Sequence, residues 1–281
     1  MLIPASQFIF GRFVFTLKLT SPITLPVYKG DVFHRSLGRG LAQISPWHGS
    51  YFFKPVIPED WPHPGQTPPS PFILSPPYTS QTSYSPEDTM TVGITLFGVA
   101  LQHLMTVFAA MEKLGCSGGL QAGRGRFRVQ TLEQITPDGV IKLYADGQWS
   151  AAARATSASE IFSITPPVAY QTTLKILTRL RLKDHGALVR NNLSLAVLID
   201  RLAGRINTLA SMYCSGLILL PEEKTALITL ARMVHKFADN TRWSDWSRDQ
   251  GKHRNIKFGG LTGQVVYQGI AGVLLPWLSL G

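Results

Sequence analysis

Acidic residues are scarce in this chain. Asp and Glu number 17 against 27 Lys and Arg, which leaves a net charge of +10 although only 16% of the 281 residues are charged. The resulting pI of about 9.8 points toward polyanionic partners, nucleic acid first and an anionic membrane surface or an acidic protein second. Cysteine is nearly missing as well. Cys116 and Cys214 are far apart and form no C-x-x-C pair, which argues against a zinc site of ordinary spacing. They read as reduced, buried thiols of a cytoplasmic protein. There is no cluster of carboxylates or of Cys and His at ligand spacing, so no metal or other cofactor is expected. Long apolar runs are lacking too. The most apolar stretch, Val92 to Met111, is broken by Gln102, His103 and two glycines, and suits a buried strand followed by a helix better than a membrane span. The N-terminus has no basic n-region, and Arg12 and Lys18 interrupt its apolar residues, unlike a signal peptide. No fixed-period repeat is visible.

What is present is enough for a core. Hydrophobic residues make up 44% of the chain, and 19 prolines with 25 glycines imply long loops around it. Phe8 to Leu19, with Arg12, Thr16 and Lys18 at even positions, reads as a strand with one buried face. Asp31 is placed to cap a helix through Phe33, Leu37 and Leu41. Ser45 to Pro86 reads as packed, aromatic-rich loops. Thr89 to Phe97 alternates as a strand. Val99 to Leu114 reads as a helix with Leu101, Leu104, Met105, Phe108 and Met111 on its core face. A glycine-rich loop from Gly115 leads into strands Phe127–Leu132 and Val140–Tyr144. The order is that of an α+β ferredoxin-like sandwich, and the polar run Ala151 to Ser159 ends it. Further on, a strand is expected at Glu160–Thr165, helices at Leu193–Tyr213 and from Pro221 to about Phe237, a glycine-started strand from Phe258, and a final apolar helix near Val273–Leu280.

Several segments in this order resemble a known family: Leu25-Pro-Val-Tyr-Lys-Gly30, then Phe33-His34-Arg35, Ser70-Pro-Phe-Ile-Leu-Ser-Pro-Pro77, Met90 to Ala100, Gly123-Arg-Gly-Arg-Phe127, Ile164-Thr-Pro-Pro167 and Phe258-Gly-Gly-Leu-Thr-Gly263. Together they are similar to the CRISPR-associated precursor-RNA processing endoribonucleases of the repeat-associated mysterious protein superfamily. That resemblance implies two tandem ferredoxin-like (RRM-like) domains, placed here at 1–155 and 156–281, and metal-independent cleavage beside a CRISPR repeat hairpin. The 2′-hydroxyl attacks the adjacent phosphate, and a 2′,3′-cyclic phosphate and a 5′-hydroxyl result. The expected partners are the repeat hairpin, the mature crRNA and other CRISPR effector subunits, with no membrane. The family usually continues past its last helix into a glycine-rich loop and a strand, whereas this chain stops at Gly281. Either the sequence is short or the second domain lacks its last strand, as in reduced forms among type IV systems. A basic segment at 174–192, read as a helical insertion or finger, is the expected replacement for that loop.

The resemblance also nominates residues. His34, on the first helix, is the proton-transfer candidate, with Tyr28 and Lys29 just upstream. Histidine suits that role because its pKa lies near about 6.5. Arg35 and Arg39, four apart on one helix face, are candidates for RNA contact, as are Arg124 and Arg126 on the glycine-rich loop. Lys175, Arg179, Arg181, Lys183 and Arg190 form the basic segment. Arg242 and Arg248 are assigned to phosphorane stabilisation and strand alignment. Lys252, His253, Arg254 and Lys257 follow them as RNA contacts beside Trp243 and Trp246, in a pattern that suits unpaired bases. The alternative is a non-catalytic crRNA-binding subunit of an effector complex, which the same basic segments would serve.

Overall fold

The computed structural model describes residues 1–280 except 60, 62–64, 122–123, 166–167 and 249–255. It divides into two compact units. One comprises Met1, Ile3–Glu160 and Leu209–Gly216; the other comprises Leu2, Ile161–Thr208 and Leu217–Gly281.

The first unit begins with β1 (Ile9–Leu19), in which Phe13, Phe15, Leu17 and Leu19 are buried while Arg12, Val14, Thr16 and Lys18 between them are only partly covered. This period of two is what a sheet with one core face requires. There follow α1 (Gly30–Ile44), α2 (Pro46–Phe53), β2 (Phe72–Ser75), β3 (Thr89–Phe97), α3 (Leu104–Lys113), β4 (Phe127–Thr136) and β5 (Gly139–Ala145). The sheet runs β2-β3-β1-β4-β5, antiparallel throughout. A β-α-β-β-α-β chain with β4-β1-β3-β2 as neighbours is the ferredoxin-like arrangement, with β5 added at one edge. Val32, Phe33, Leu37 and Leu41 of α1 join Val107, Phe108 and Met111 of α3 and the β1 phenylalanines in one core. Each such side chain contributes about 1.5–3 kcal/mol on burial.

The second unit holds β6 (Val168–Leu180), α6 (Pro221–Arg232), β7 (His235–Asp239), β8 (Arg242–Arg248), β9 (Ile256–Ala271), α7 (Leu275–Leu280) and the larger parts of α4 (Ala158–Ile164) and α5 (Leu195–Tyr213), both of which straddle the boundary in sequence. Strand β9 is central. It pairs with β6 on one side, and with β7 and β8 in succession on the other. The pair β7–β8 therefore acts as one interrupted strand, and the order is ferredoxin-like as far as its second helix. Among the described residues no strand follows α7.

Five expectations change. Ser45–Pro86 is not all loop. Pro46 suits the first turn of a helix, since its missing N–H is an orphan there anyway, so α2 forms, and β2 pairs with β3. Glu160–Thr165 is helical, because Ser157 and Glu160 make a reciprocal capping box: the Ser157 amide donates to Glu160 Oε1 at 2.8 Å, and the Glu160 amide donates to Ser157 Oγ at 3.3 Å. The expected 99–114 helix is a 3₁₀ turn at Gly98–His103, then α3, then a π turn at Leu114–Gly118, and Met105 is 55% exposed rather than core. The helix from Pro221 stops at Arg232, and His235–Asp239 is strand. The basic segment is not a helical insertion. Its residues up to Leu180 lie in β6, where β-branched Thr172, Thr173 and Ile176 suit a strand and which pairs along β9, and a small hairpin (Lys183–Asp184 with Ala187–Leu188) follows. Two residues with positive φ, His185 and Gly186, turn that hairpin. No described helix is long and apolar enough to cross a membrane.

Candidate active site

Helix α1 is amphipathic. Val32, Phe33, Ser36, Leu37, Gly40 and Leu41 are buried, and His34, Arg35 and Arg39 lie exposed on the opposite side. The expected cap changes: the helix starts at Gly30, so Asp31 lies inside the first turn, where its charge suits the positive end of the helix dipole. Asp31 also receives Arg35, whose Nε donates to the Asp31 carbonyl at 3.3 Å and whose guanidinium stands 4.0 Å from its carboxylate.

The exposed side of α1, one face of α2 and the glycine-rich loop enclose an open groove of about 800 Å³. His34, Arg35 and Arg39 line one wall, Ser50, Phe53 and Lys54 another, and Leu120 with Gln121 a third. Among the described residues no carboxylate lines it, so three cationic side chains and a histidine face a common space. The groove is held open by specific contacts. Buried Ser36 donates from Oγ to the Leu120 carbonyl at 2.8 Å. Arg39 donates to Ser36 Oγ at 3.2 Å and to the carbonyls of Leu120 at 3.3 Å and Gly119 at 3.4 Å. Gly119 has φ of +58° and sits against the Arg124 backbone where a Cβ would collide. The backbone at Gly119 and Leu120 is thus clamped to α1. His34 packs edge-on to Phe53 with ring centroids 4.7 Å apart and is stacked at 6.2 Å on Phe72. These contacts fix the plane of the imidazole.

The nominated residues fall in different places. His34, Arg35 and Arg39 come together in the groove. Tyr28 is partly buried, and its ring folds back over Gly30, where a Cβ would meet it; it is not among the groove's lining. Lys29 is a correction. It is buried, its ammonium donates to the carbonyls of Thr79 at 2.9 Å and Val27 at 3.3 Å, and burial lowers its pKa. It pins a loop, where the sequence suggests an RNA contact. Arg124 and Arg126 are exposed on the glycine-rich loop. In the second unit Lys175, Arg181 and Lys183 are exposed and Arg179 is half-buried. Arg190 lies over the Trp243 ring at 5.0 Å, and the Trp243 Nε1 donates to Asp245 at 2.7 Å, so this tryptophan is engaged within its own unit. Arg242 is exposed at the start of β8, and Arg248 ends that strand. Lys257 is in β9, paired with Ser247. Lys252, His253 and Arg254, together with Gly123 of the loop motif, lie outside the described residues. Lys54 and Gln121 were not foreseen. Part of the signal was available for Lys54, since Pro46 as a helix start puts 46, 49, 50 and 53 on one face, and Lys54 caps that helix.

Residues 8–157, more than half of the chain, match the model of a family described as the AF_1859_N N-terminal domain. No curated protein matches the sequence. Solved structures do. A Cas6 (TTHB231) product complex is similar with a TM-score of 0.60 at 18% identity, over 96% of this chain and 92% of that one. Thermus thermophilus Cas6 (TTHB231) gives 0.55 at 16%, over 97% and 90%. A partial Cas6-RT-Cas1–Cas2 complex gives 0.63 at 14%, over 97% of this chain but 42% of that one. Identities this low carry the fold and not the chemistry. The chain belongs to the family of the AF_1859_N N-terminal domain, and its fold is that of the solved Cas6 structures.

Proposed function

We propose that this protein binds a CRISPR repeat hairpin and cuts precursor crRNA by attack of an internal 2′-hydroxyl, keeping the product bound. The observation that carries this reading is the groove beside α1, where His34 faces a space shared with Arg35, Arg39 and Lys54 and, among the described residues, no carboxylate. In the reaction the 2′-oxygen bonds to phosphorus as the bond to the 5′-oxygen breaks. The 2′-hydroxyl loses a proton and the departing oxygen gains one, and His34 carries one of these transfers. The guanidiniums and the ammonium stabilise the anionic phosphorane, where charge is greatest. Arg242 and Arg248 are assigned to alignment of the strand, and the exposed cations of β6 and its hairpin to the phosphates of the stem. Neither proton transfer draws on a metal. Association with other CRISPR proteins is part of the proposal, supported by the fold shared with a Cas6-RT-Cas1–Cas2 complex.

One observation favours the second reading, a crRNA-binding subunit that does not cut: the His34 ring is seated against Phe53 and Phe72, as a histidine that only packs would be. Incubation with the repeat RNA of its own locus in EDTA, with both product ends mapped, separates the two. A cyclic phosphate upstream and a 5′-hydroxyl downstream are expected, and a 2′-deoxy substitution at the scissile nucleotide abolishes cutting. Activity lost on chelation and restored by magnesium overturns the metal-independent mechanism. Tight binding with no cleavage leaves the binding subunit.

A further inference from the structure

Helix α2 has a second exposed face. Pro46, Gly49, Ser50 and Phe53 look into the groove, whereas Trp47, His48 and Tyr51 share the other side with His103 from the turn before α3. Trp47 stacks on Tyr51 at 5.0 Å with planes 10° apart. His48 and His103 stand edge-on to Trp47 at 4.8 and 5.4 Å, and 5.1 Å from each other. Three neighbouring rings therefore hold the Trp47 plane in place. Yet Trp47 remains 55% exposed. The cluster also encloses His48 Nδ1 and the Tyr51 hydroxyl with no hydrogen-bond partner among the described residues, and each such atom carries a desolvation cost that the ring contacts must offset. Burial lowers the His103 pKa, and the nearby His48 adds to the effect, so the imidazole beside the indole tends to stay uncharged.

We infer that Trp47 is a stacking platform for one unpaired nucleotide of a single-stranded RNA segment. A rigid, half-open indole accepts a base of any sequence by its π-face. The occupant is nucleic acid and not an apolar protein segment because Lys54, which caps the same short helix, lines a groove with Arg35 and Arg39, in a chain of net charge +10. A strand whose phosphates meet those cations has its next bases within reach of the helix's other face. The inference rests on the functional reading above and adds to it the single-stranded flank of the hairpin as a recognised element.

The test compares the wild-type protein with Trp47→Ala and Trp47→Phe. The RNAs are the blunt repeat hairpin, the same hairpin with a single-stranded extension, abasic versions of that extension, and an unstructured strand. Trp47→Ala should weaken the extended hairpin roughly tenfold, equivalent to about 1.4 kcal/mol, and leave the blunt hairpin unchanged. Trp47→Phe, which keeps a ring in the stack, should retain most of the affinity. One abasic position should weaken the wild type by a similar factor and have no further effect on Trp47→Ala. If every abasic RNA weakens both proteins in parallel, or if Trp47→Ala loses the blunt and extended hairpins equally, the platform is overturned while hairpin processing stands. If the wild type ignores the hairpin but binds the unstructured strand through Trp47, the platform stands and the processing reading falls. Binding of neither RNA overturns both.

Discussion

The two units share a strand-and-helix order and differ in what they do with it. In the first, four ferredoxin-like strands are completed by β5, and two helices close over one face. The resulting core is dense enough to hold α1, α2 and the glycine-rich loop in fixed relation. In the second, β9 is central to β6, β7 and β8, and the exposed positions of β6 and its hairpin carry Lys175, Arg181 and Lys183. The first unit has the means to place one histidine against three cations in a groove. The second presents spaced charge along strands, which suits attraction to a phosphate backbone and does not by itself orient a reacting atom. Chemistry demands rigid placement, whereas electrostatic binding tolerates a flexible lysine.

The largest expected effect breaks that division of labour at its sharpest point. His34→Ala should slow cleavage by about a hundredfold or more with hairpin affinity nearly unchanged, since a neutral imidazole contributes little to phosphate binding. Arg242→Ala should lower rate and affinity together. Single-turnover rates and equilibrium binding read both effects. Normal cutting by His34→Ala with a dead Arg242→Ala would move the chemistry to the arginines, and the pH–rate profile would then lack an inflection near about 6.5.

The next contrast uses glycines on helices of the two units. A Cβ on Gly40 would come within 2.8 Å of the Ala110 carbonyl where α1 meets α3. Gly40→Val should therefore cost about 1–3 kcal/mol in urea unfolding. A Cβ on Gly204 of α5 would meet only the ammonium of Lys224 at 3.3 Å, which pairs with Asp200 at 2.7 Å and need give only a few tenths of an ångström, at the far end of a long side chain. Gly204→Ala should stabilise by about 0.5–1 kcal/mol through helix propensity. Equal signs for the two would show that the close approach of α1 to α3 is not fixed.

Salt dependence sharpens the electrostatic side. Charge-neutralising changes at Arg181 and Lys183 should flatten the log–log slope of hairpin affinity by roughly 0.7–0.9 for each phosphate no longer neutralised. The same should hold to a lesser degree at half-buried Arg179. An unchanged slope removes the hairpin from the RNA-facing surface. The smallest effect is on pH. The folded pKa of His103 lies below its unfolded value of about 6.5, so the unfolded chain binds more protons just below that pH. Stability should be full above about 6.5 and decline as pH falls toward the folded value. His103→Phe should remove that part of the decline in thermal midpoints between about pH 7 and 5. The acidified loss attached to Glu160, whose carboxyl is held low chiefly by its hydrogen bond from Arg154, should remain at lower pH.

Much of the fold could be read along the chain where one face alone decides an element. The alternation of β1, the apolar face of α5 and the amphipathic α1 are each set by local period against a single core, and these came out as expected. Segments decided by a partner strand did not. The 174–192 segment carries enough charge to pass for a helical insertion, and only pairing with β9 makes its first part, up to Leu180, a strand. His235–Asp239 reads as a continuation of the preceding helix, and it too is a strand only through β9. The Ser157–Glu160 capping box is written in the sequence, and it outweighs the strand-like look of the residues that follow.

For the site, the sequence by itself determined the excess of cations, which follows from composition, and its resemblance placed His34 on the first helix. It could not determine which cations share a space with that histidine. Lys54 reaches the groove only because Pro46 starts a helix that packs against α1. Lys29, adjacent to Tyr28 and near His34 in the chain, is turned inward because the carbonyls of Val27 and Thr79 take up its ammonium. The ring cluster at Trp47 assembles from residues more than fifty positions apart. Proximity of that kind is made by packing of one element on another, and no local period encodes it.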